Sequence, residues 1–361
     1  MTRVLVAPDK FKGTLSASEV ADAVATGLGE HGVETVRMPL ADGGDGSVDA
    51  AVAAGFTRVG PAAYAGATGV VEVANTCGVV LVGTGDPMGA SSVPFGQTVA
   101  ETARNGRRRI VLALGGSAST DGGAGLLAAC GYSFLDAHGH ELEPCGATLE
   151  RITRIRRPDR DLMDGIDLLI AGDVENPLLG AHGAARDFAP QKGASPAQVE
   201  RLEVGLANLV AVLERDVRPD ATSLAGLPGS GAAGGLGFAA RVLGAEMTSG
   251  AAFFLDLLGF DTAVADCAAV VTGEGRLDVQ TLGGKLPAVV IRRAAGRPVH
   301  LVVGRDDLGL EGAQRLGAAS VSAVVDRTTC DPADDPGLSR WLLRRIGHDL
   351  ASRVGTPAFR G

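Results

Sequence analysis

The stretch Arg3-Val4-Leu5-Val6-Ala7-Pro8-Asp9-Lys10-Phe11-Lys12-Gly13-Thr14-Leu15-Ser16 sets the reading of the whole chain. Its aliphatic, β-branched run over residues 3–7 predicts a strand. A loop over 8–15 follows, and Ser16 with Glu19 gives the spacing of a capping box, so a helix begins there. Strand, charged loop and capped helix in this order are how alternating β and α units look in sequence. The same grammar recurs at 34–38, which runs into Leu40-Ala41-Asp42-Gly43-Gly44-Asp45-Gly46, and at 268–272, which runs into Gly273-Glu274-Gly275. A helix over 287–295, a strand over 299–303 ending at Gly304 and a weaker strand over 320–325 complete the set. These lengths suit right-handed parallel crossovers.

A middle region supplies its own strands at 109–114 and 167–171 and a long helix at 196–213. The expected architecture is therefore α/β, with a discontinuous flavodoxin/Rossmann-like parallel-sheet domain formed by residues 1–65 together with 256–361. A second α/β domain is inserted at 66–255. No repeat of 20–50 residues is visible, which excludes a solenoid.

Composition narrows the function. With 45% hydrophobic and 21% charged residues in 361, the chain can bury a large core, and its 53 glycines follow no Gly-X-Y period, so disorder and collagen are excluded. Arg and Lys total 33 against 42 Asp and Glu, a net charge of −9, which argues against nucleic acid or an anionic membrane as partner. Any anionic ligand must be gripped by a few local cations. The five cysteines are odd in number, widely spaced and without a CxxC pair, and the apolar run at 4–7 is too short for a signal peptide. A cytoplasmic protein is expected.

Only four of the basic residues are lysines, Lys10, Lys12, Lys192 and Lys285, and all four sit in Gly-rich or polar turns where an ammonium suits phosphate or carboxylate oxygens. Carboxylates collect in similar places: Asp42, Asp45, Asp121, Asp173, Glu274 and Asp278. In an open parallel sheet, ligands bind at the carboxyl ends of strands, where most of these acids fall, and such hard oxygens suit Mg²⁺. The run from Gly115 through Gly116, Ser117, Ser119, Thr120 and Asp121 to Gly125 joins a strand to a helix at 126–130, and its small residues predict a nest of main-chain N–H groups for phosphate. A further run, Gly229 to Gly235 around Gly231, matches GxGxxG formally but lacks the preceding strand. It reads either as a second phosphate or adenine loop or as close helix packing.

Taken together, residues 7–16, 41–46, 113–123, 172–178 with 191–194, and 272–278 resemble, in order and over nearly the whole chain, the successive motif blocks of the bacterial type I glycerate kinases. Two small departures are Asp45 where that family often has Glu and Gly172 before Asp173, and neither removes a charge. The resemblance implies phosphorylation of D-glycerate from ATP with Mg²⁺, usually at the 2-hydroxyl, in a cleft over which the inserted domain closes. A glycerate 3-kinase or a kinase of another small hydroxy or sugar acid is the alternative within that class. A NAD-binding oxidoreductase and a small-molecule sensor are the alternatives outside it.

The site expected on this basis has Lys12, Asp173 and Asp278 as catalytic residues, with Asp173 or Asp278 taking the substrate hydroxyl proton. Asp9, Lys10, Asp42, Gly43 and Arg276 are expected at the substrate. Gly115, Gly116, Ser117, Ser119, Thr120, Asp121, Lys192 and Gly231 are expected at the nucleotide, and Asp42, Asp45 and Glu274 at the metal. Monomer and homodimer both remain open.

Overall fold

Arg3–Val6 pairs in parallel with Ala269–Thr272 on one side and Glu34–Arg37 on the other, in a computed structural model that describes residues 2–354. Val299–Val303 and Ser320–Ala323 extend the sheet beyond Ala269–Thr272, again in parallel. Numbered along the chain, these five strands lie in the order 2-1-3-4-5, so connections leave in opposite directions from the first strand. Alternation along each strand covers both faces. Val4, Val6, Ala269, Val271 and Val302 face one buried cluster, whereas Leu5, Ala7, Val270, Leu301 and Val303 face another. Strands buried on both sides read as continuous aliphatic runs, which is why they are legible.

The first face is covered by the helices Ala17–Gly29 and Pro336–Val354. The first begins at Ser16 with the capping box that its Glu19 spacing announces. The two helices meet through glycines: a Cβ on Gly27 would strike the carbonyl oxygen of Arg344, and one on Gly347 that of Val24. Helix propensity alone would make Gly347→Ala stabilising by about 1 kcal/mol. Because the obstruction is main chain and cannot rotate away, overpacking is expected to prevail and lower the unfolding free energy by about 1–3 kcal/mol, read from the denaturant midpoint. A raised midpoint would show that the helices separate freely.

A second sheet has six strands in the order Glu246–Thr248, Asp167–Ala171, Arg109–Ala113, Thr68–Glu72, Ala62–Ala65, Thr57–Val59. The first four are parallel and the last two antiparallel. Its core gathers Phe95, Ile110, Leu112, Leu126, Ile170, Leu206 and Phe238, with the helix Pro196–Asp216 laid along it. The chain is thus mixed α/β with parallel sheets. Contacts group the described residues into one unit made of those up to 42, 49–54 and those from 251 on, and another made of 43–48 and 55–250.

Residues 43–48 and 55–65, assigned from sequence to the first domain, therefore lie in the second unit. Gly60 at φ 57° and Gly66 at φ 53° turn two short strands back onto Thr68–Glu72, a meander whose shortness hid it in the sequence. Residues 251–255, assigned from sequence to the inserted domain, lie instead in the first unit, where Ala251 and Leu255 join its core. Residues 355–361, also assigned to the first domain, lie outside the described residues.

Candidate functional site

In the first unit the loops after neighbouring strands are stitched together. Ala7 N donates to Val271 O at 2.7 Å, Asp9 N to Gly273 O at 2.8 Å, Leu40 N to Pro8 O at 2.9 Å and Gly304 N to Glu274 O at 3.1 Å. This places Asp9 and Glu274 side by side at the carboxyl ends of the two strands between which the order reverses, the position where open parallel sheets bind ligands. Both carboxyls are buried, at 9% exposure each. Burial pushes Asp9 up from 3.8 to about 7, against the attraction of Lys10, and the charges of Asp42 and Glu274 push it further. Glu274 rises from 4.5 to about 7, again chiefly by burial; the Thr281 hydroxyl, donating to Oε1 at 2.6 Å, and Lys285 oppose this, and Asp278 and Asp42 add to it. Asp9, Asp42, Glu274 and Asp278 therefore share one electrostatic neighbourhood.

Cations border it. Lys10 Nζ lies 3.9 Å from Asp9 Oδ1, and Lys285 Nζ 3.3 Å from Asp278 Oδ1. Lys12 is exposed on the tight turn closed by Thr14 N donating to Phe11 O at 2.8 Å, with Gly13 at φ 81°. Asp278 caps the helix Val279–Leu282 by accepting from Gln280 N at 2.9 Å. Arg276 is exposed and paired with Asp307 at 2.5 Å. Among the described residues no group of three or more His, Cys, Asp or Glu side chains is placed to hold a metal ion by itself. The donor chemistry still fits Mg²⁺, which takes one or two carboxylates and fills its remaining positions with phosphate oxygens and water. Two desolvated, mutually repelling carboxyls held near neutrality are what such a cation relieves.

The second unit carries the Gly-rich loop. After the strand Arg109–Ala113, Gly116 turns through φ 76°, and among the described residues the N–H groups of Gly115, Gly116 and Ser117 donate to no protein acceptor. Gly115 and Gly116 are the more exposed part of this loop. The rest of the loop faces inward. Ser117 and Ser119 hydroxyls lie 3.0 Å apart, and Ser119, Thr120 and Asp121 are buried. Asp121 accepts from Ser92 N at 2.8 Å, Ser92 Oγ at 2.7 Å, Gly123 N at 3.1 Å and Gly125 N at 3.4 Å. Lys192, from the turn Pro190–Lys192, is also buried and donates to Ser119 O at 2.6 Å and Thr120 Oγ1 at 3.4 Å. Burial lowers its ammonium to about 8, partly countered by the Asp121 charge.

Ser119, Thr120, Asp121 and Lys192, expected from sequence at the nucleotide, are buried, and Asp121 and Lys192 hydrogen-bond within the loop and its neighbours. Gly231 is likewise engaged, its N–H donating to Asn176 O at 2.9 Å, and a Cβ at this position would strike Pro177 O. Gly234 packs on Ser119 and Gly235 on Gly122. Close packing, one of the two readings left open for this run, is present in the structure. In the same unit Gly43, at φ 87°, lies against Ala171 O, and Gly115 against Gly44 Cα. The loop bearing Asp45, the end of the strand before Asp173 and the Gly-rich loop are therefore in contact, with Asp45 and Asp173 exposed.

One residue of this arrangement escaped sequence reasoning. Glu72, at the end of Thr68–Glu72 and 1% exposed, accepts from Gly46 N at 3.0 Å and Val48 N at 2.8 Å. A lone acid closing an aliphatic strand was the only signal that could have found it.

The model of the glycerate kinase family matches residues 4–333. The chain is 36% identical over 335 residues to the glycerate 2-kinase of Escherichia coli K12, covering 85% of this chain and 87% of that one. It is 33% identical over 376 residues to the glycerate kinase of Halalkalibacterium halodurans, covering 97% and 98%. A crystal structure assigned to a candidate glycerate kinase 2 from Salmonella typhimurium LT2 superposes with a TM-score of 0.79 at 32% identity, covering 98% of each chain. On the strength of the family match and these relatives, the chain belongs to the glycerate kinase family.

Proposed function

We propose that this protein transfers the terminal phosphoryl group of ATP to the 2-hydroxyl of D-glycerate with Mg²⁺, in the cytoplasm. The observation that carries the reading is the row of three main-chain N–H groups at Gly115, Gly116 and Ser117 that, among the described residues, donate to no protein acceptor, a nest suited to nucleotide phosphate oxygens. Phosphoryl transfer asks mainly for positioning and charge neutralisation, which these groups supply.

In this reading Asp42 and Glu274 of the first unit are carboxylates that would hold Mg²⁺, which when bound neutralises phosphate charge, and Asp45 is the metal-directed acid of the second unit. Lys12 pairs with the transferring group or the substrate carboxylate, supported by Lys10, with Asp9, Gly43 and Arg276 shaping the substrate side. Asp173 takes the hydroxyl proton, since Asp278 serves as helix cap and partner of Lys285. Lys192 and Asp121 act at one remove by holding the Gly-rich loop in shape.

The decisive test is release of ADP with and without D-glycerate, followed by NMR of the product. Glycerate-dependent ADP release with phosphorus coupled to C2 supports the reading; coupling to C3 replaces the 2-hydroxyl by the 3-hydroxyl. No glycerate-dependent release rejects it.

The raised carboxyls give a pH-dependent test of the cation site. Folded values near 7 for Asp9 and Glu274 exceed the unfolded 3.8 and 4.5, so the native state holds more protons between those limits. The associated stability is fully present below the unfolded values and is lost as pH rises through the folded ones. A cation replaces those protons. Added Mg²⁺ is therefore expected to raise the melting temperature clearly at about pH 8 and much less at about pH 5. Equal shifts at both, measured calorimetrically, would remove Glu274 from the cation site.

A further inference from the structure

Residues 43–48 form a loop held on three sides within the second unit. Gly43 is pressed on Ala171 O, Gly44 on Gly115, and the third hold is Glu72. Ser47 Oγ also ties the loop to itself, donating to Gly44 O at 2.6 Å. Burying a carboxylate at the end of an aliphatic strand is unfavourable by several kcal/mol unless hydrogen bonds repay it. Here its two oxygens take the N–H groups of Gly46 and Val48, at the amino end of the helix Ser47–Ala53, where donors lack intrahelical partners and the dipole favours negative charge. A neutral amide could not replace it, because one of its two atoms would present N–H to N–H. The clamp straddles the start of that helix, immediately after Asp45, whose carboxylate is exposed.

We infer that Glu72 is a positioning residue for catalysis: by accepting from Gly46 N and Val48 N it fixes the loop 43–48 and thereby the Asp45 carboxylate in the geometry that phosphoryl transfer requires. The catalytic part of this inference rests on the proposed kinase activity; the clamp does not.

The test is a double-mutant cycle with Glu72→Gln and Asp45→Asn in the full chain. Displacing a reacting-site group by about 1 Å can lower a rate on the order of 10²-fold, so Glu72→Gln is expected to lower kcat by tenfold or more and to raise the Mg²⁺ concentration giving half-maximal rate. In the Asp45→Asn background the same change should have almost no further effect, because Glu72 acts through Asp45. Additive losses, or an unchanged kcat and Mg²⁺ requirement in a folded variant, overturn the inference, since a merely structural residue would alter stability and leave these untouched. If Glu72→Gln does not fold, Glu72→Asp, which shortens the reach by one methylene, enters the same cycle with the same two outcomes. Amide exchange separates this from the functional reading. Wild-type protein lacking glycerate-dependent ADP release defeats the kinase reading and with it the catalytic role, whereas unchanged protection of Gly46 and Val48 in the variant defeats the clamp in an active kinase.

Discussion

Lys12→Ala is expected to lower kcat/KM by on the order of 10²–10⁴ while the protein unfolds at the same denaturant concentration as wild type. The two halves of this expectation come from one placement. The side chain is exposed on a four-residue turn whose shape is set by main-chain bonds between Phe11, Thr14 and Leu15 and by the positive φ of Gly13, and among the described residues the ammonium makes no hydrogen bond or ion pair that the turn depends on. The main chain of Lys12 nevertheless runs close to Gly275, whose Cβ would lie 3.4 Å from Lys12 N, which brings this turn to the residue that follows Glu274. An interaction made only as phosphoryl charge moves should lower kcat, whereas a contact with bound glycerate alone would raise KM. Steady-state kinetics with glycerate and ATP varied separately reads the difference. Full activity in a folded variant removes Lys12 from the mechanism.

Asp121→Ala is expected to lower the stability of the protein by about 3–5 kcal/mol, the largest stability loss among the changes considered. Its carboxylate is fully buried and is the shared acceptor for Ser92 N, Ser92 Oγ, Gly123 N and Gly125 N. Removal leaves those donors unmet and a cavity where the side chain stood. It also strips the buried Lys192 ammonium of the charge that favours it. Asp121→Asn keeps the shape but exchanges one acceptor for a donor, so it should recover only part of the loss. Urea unfolding followed by circular dichroism measures both variants, and an alanine variant as stable as wild type would falsify the account of this loop.

Much of the fold was legible because the chain repeats a local rule. Continuous aliphatic runs at 3–7, 167–171 and 299–303 fall on observed strands, since a strand covered on both faces has no reason to alternate. The Ser16 capping box is local chemistry, settled within four residues. The meander 57–65 was missed because its strands are three and four residues long and one of them is exposed throughout, leaving no pattern to read. In the candidate site, residue types were informative and their orientation was not. Ser119, Thr120, Asp121 and Lys192 look, as a string, like groups offered to a phosphate, yet all four are buried, Lys192 bonding to Ser119 and Thr120 and Asp121 to Ser92, Gly123 and Gly125.

Local composition by itself determined where strands end in Gly- and acid-rich loops, and the order of those loops along the chain identified the family, because each such feature is complete within a dozen residues. Only the tertiary structure decided which polar groups look outward and which brace the loops. That choice depends on how many buried donors must be met by acceptors from distant strands, as Glu72 meets Gly46 and Val48, and hydrogen-bond satisfaction across 24 and 26 residues leaves no trace in a linear pattern.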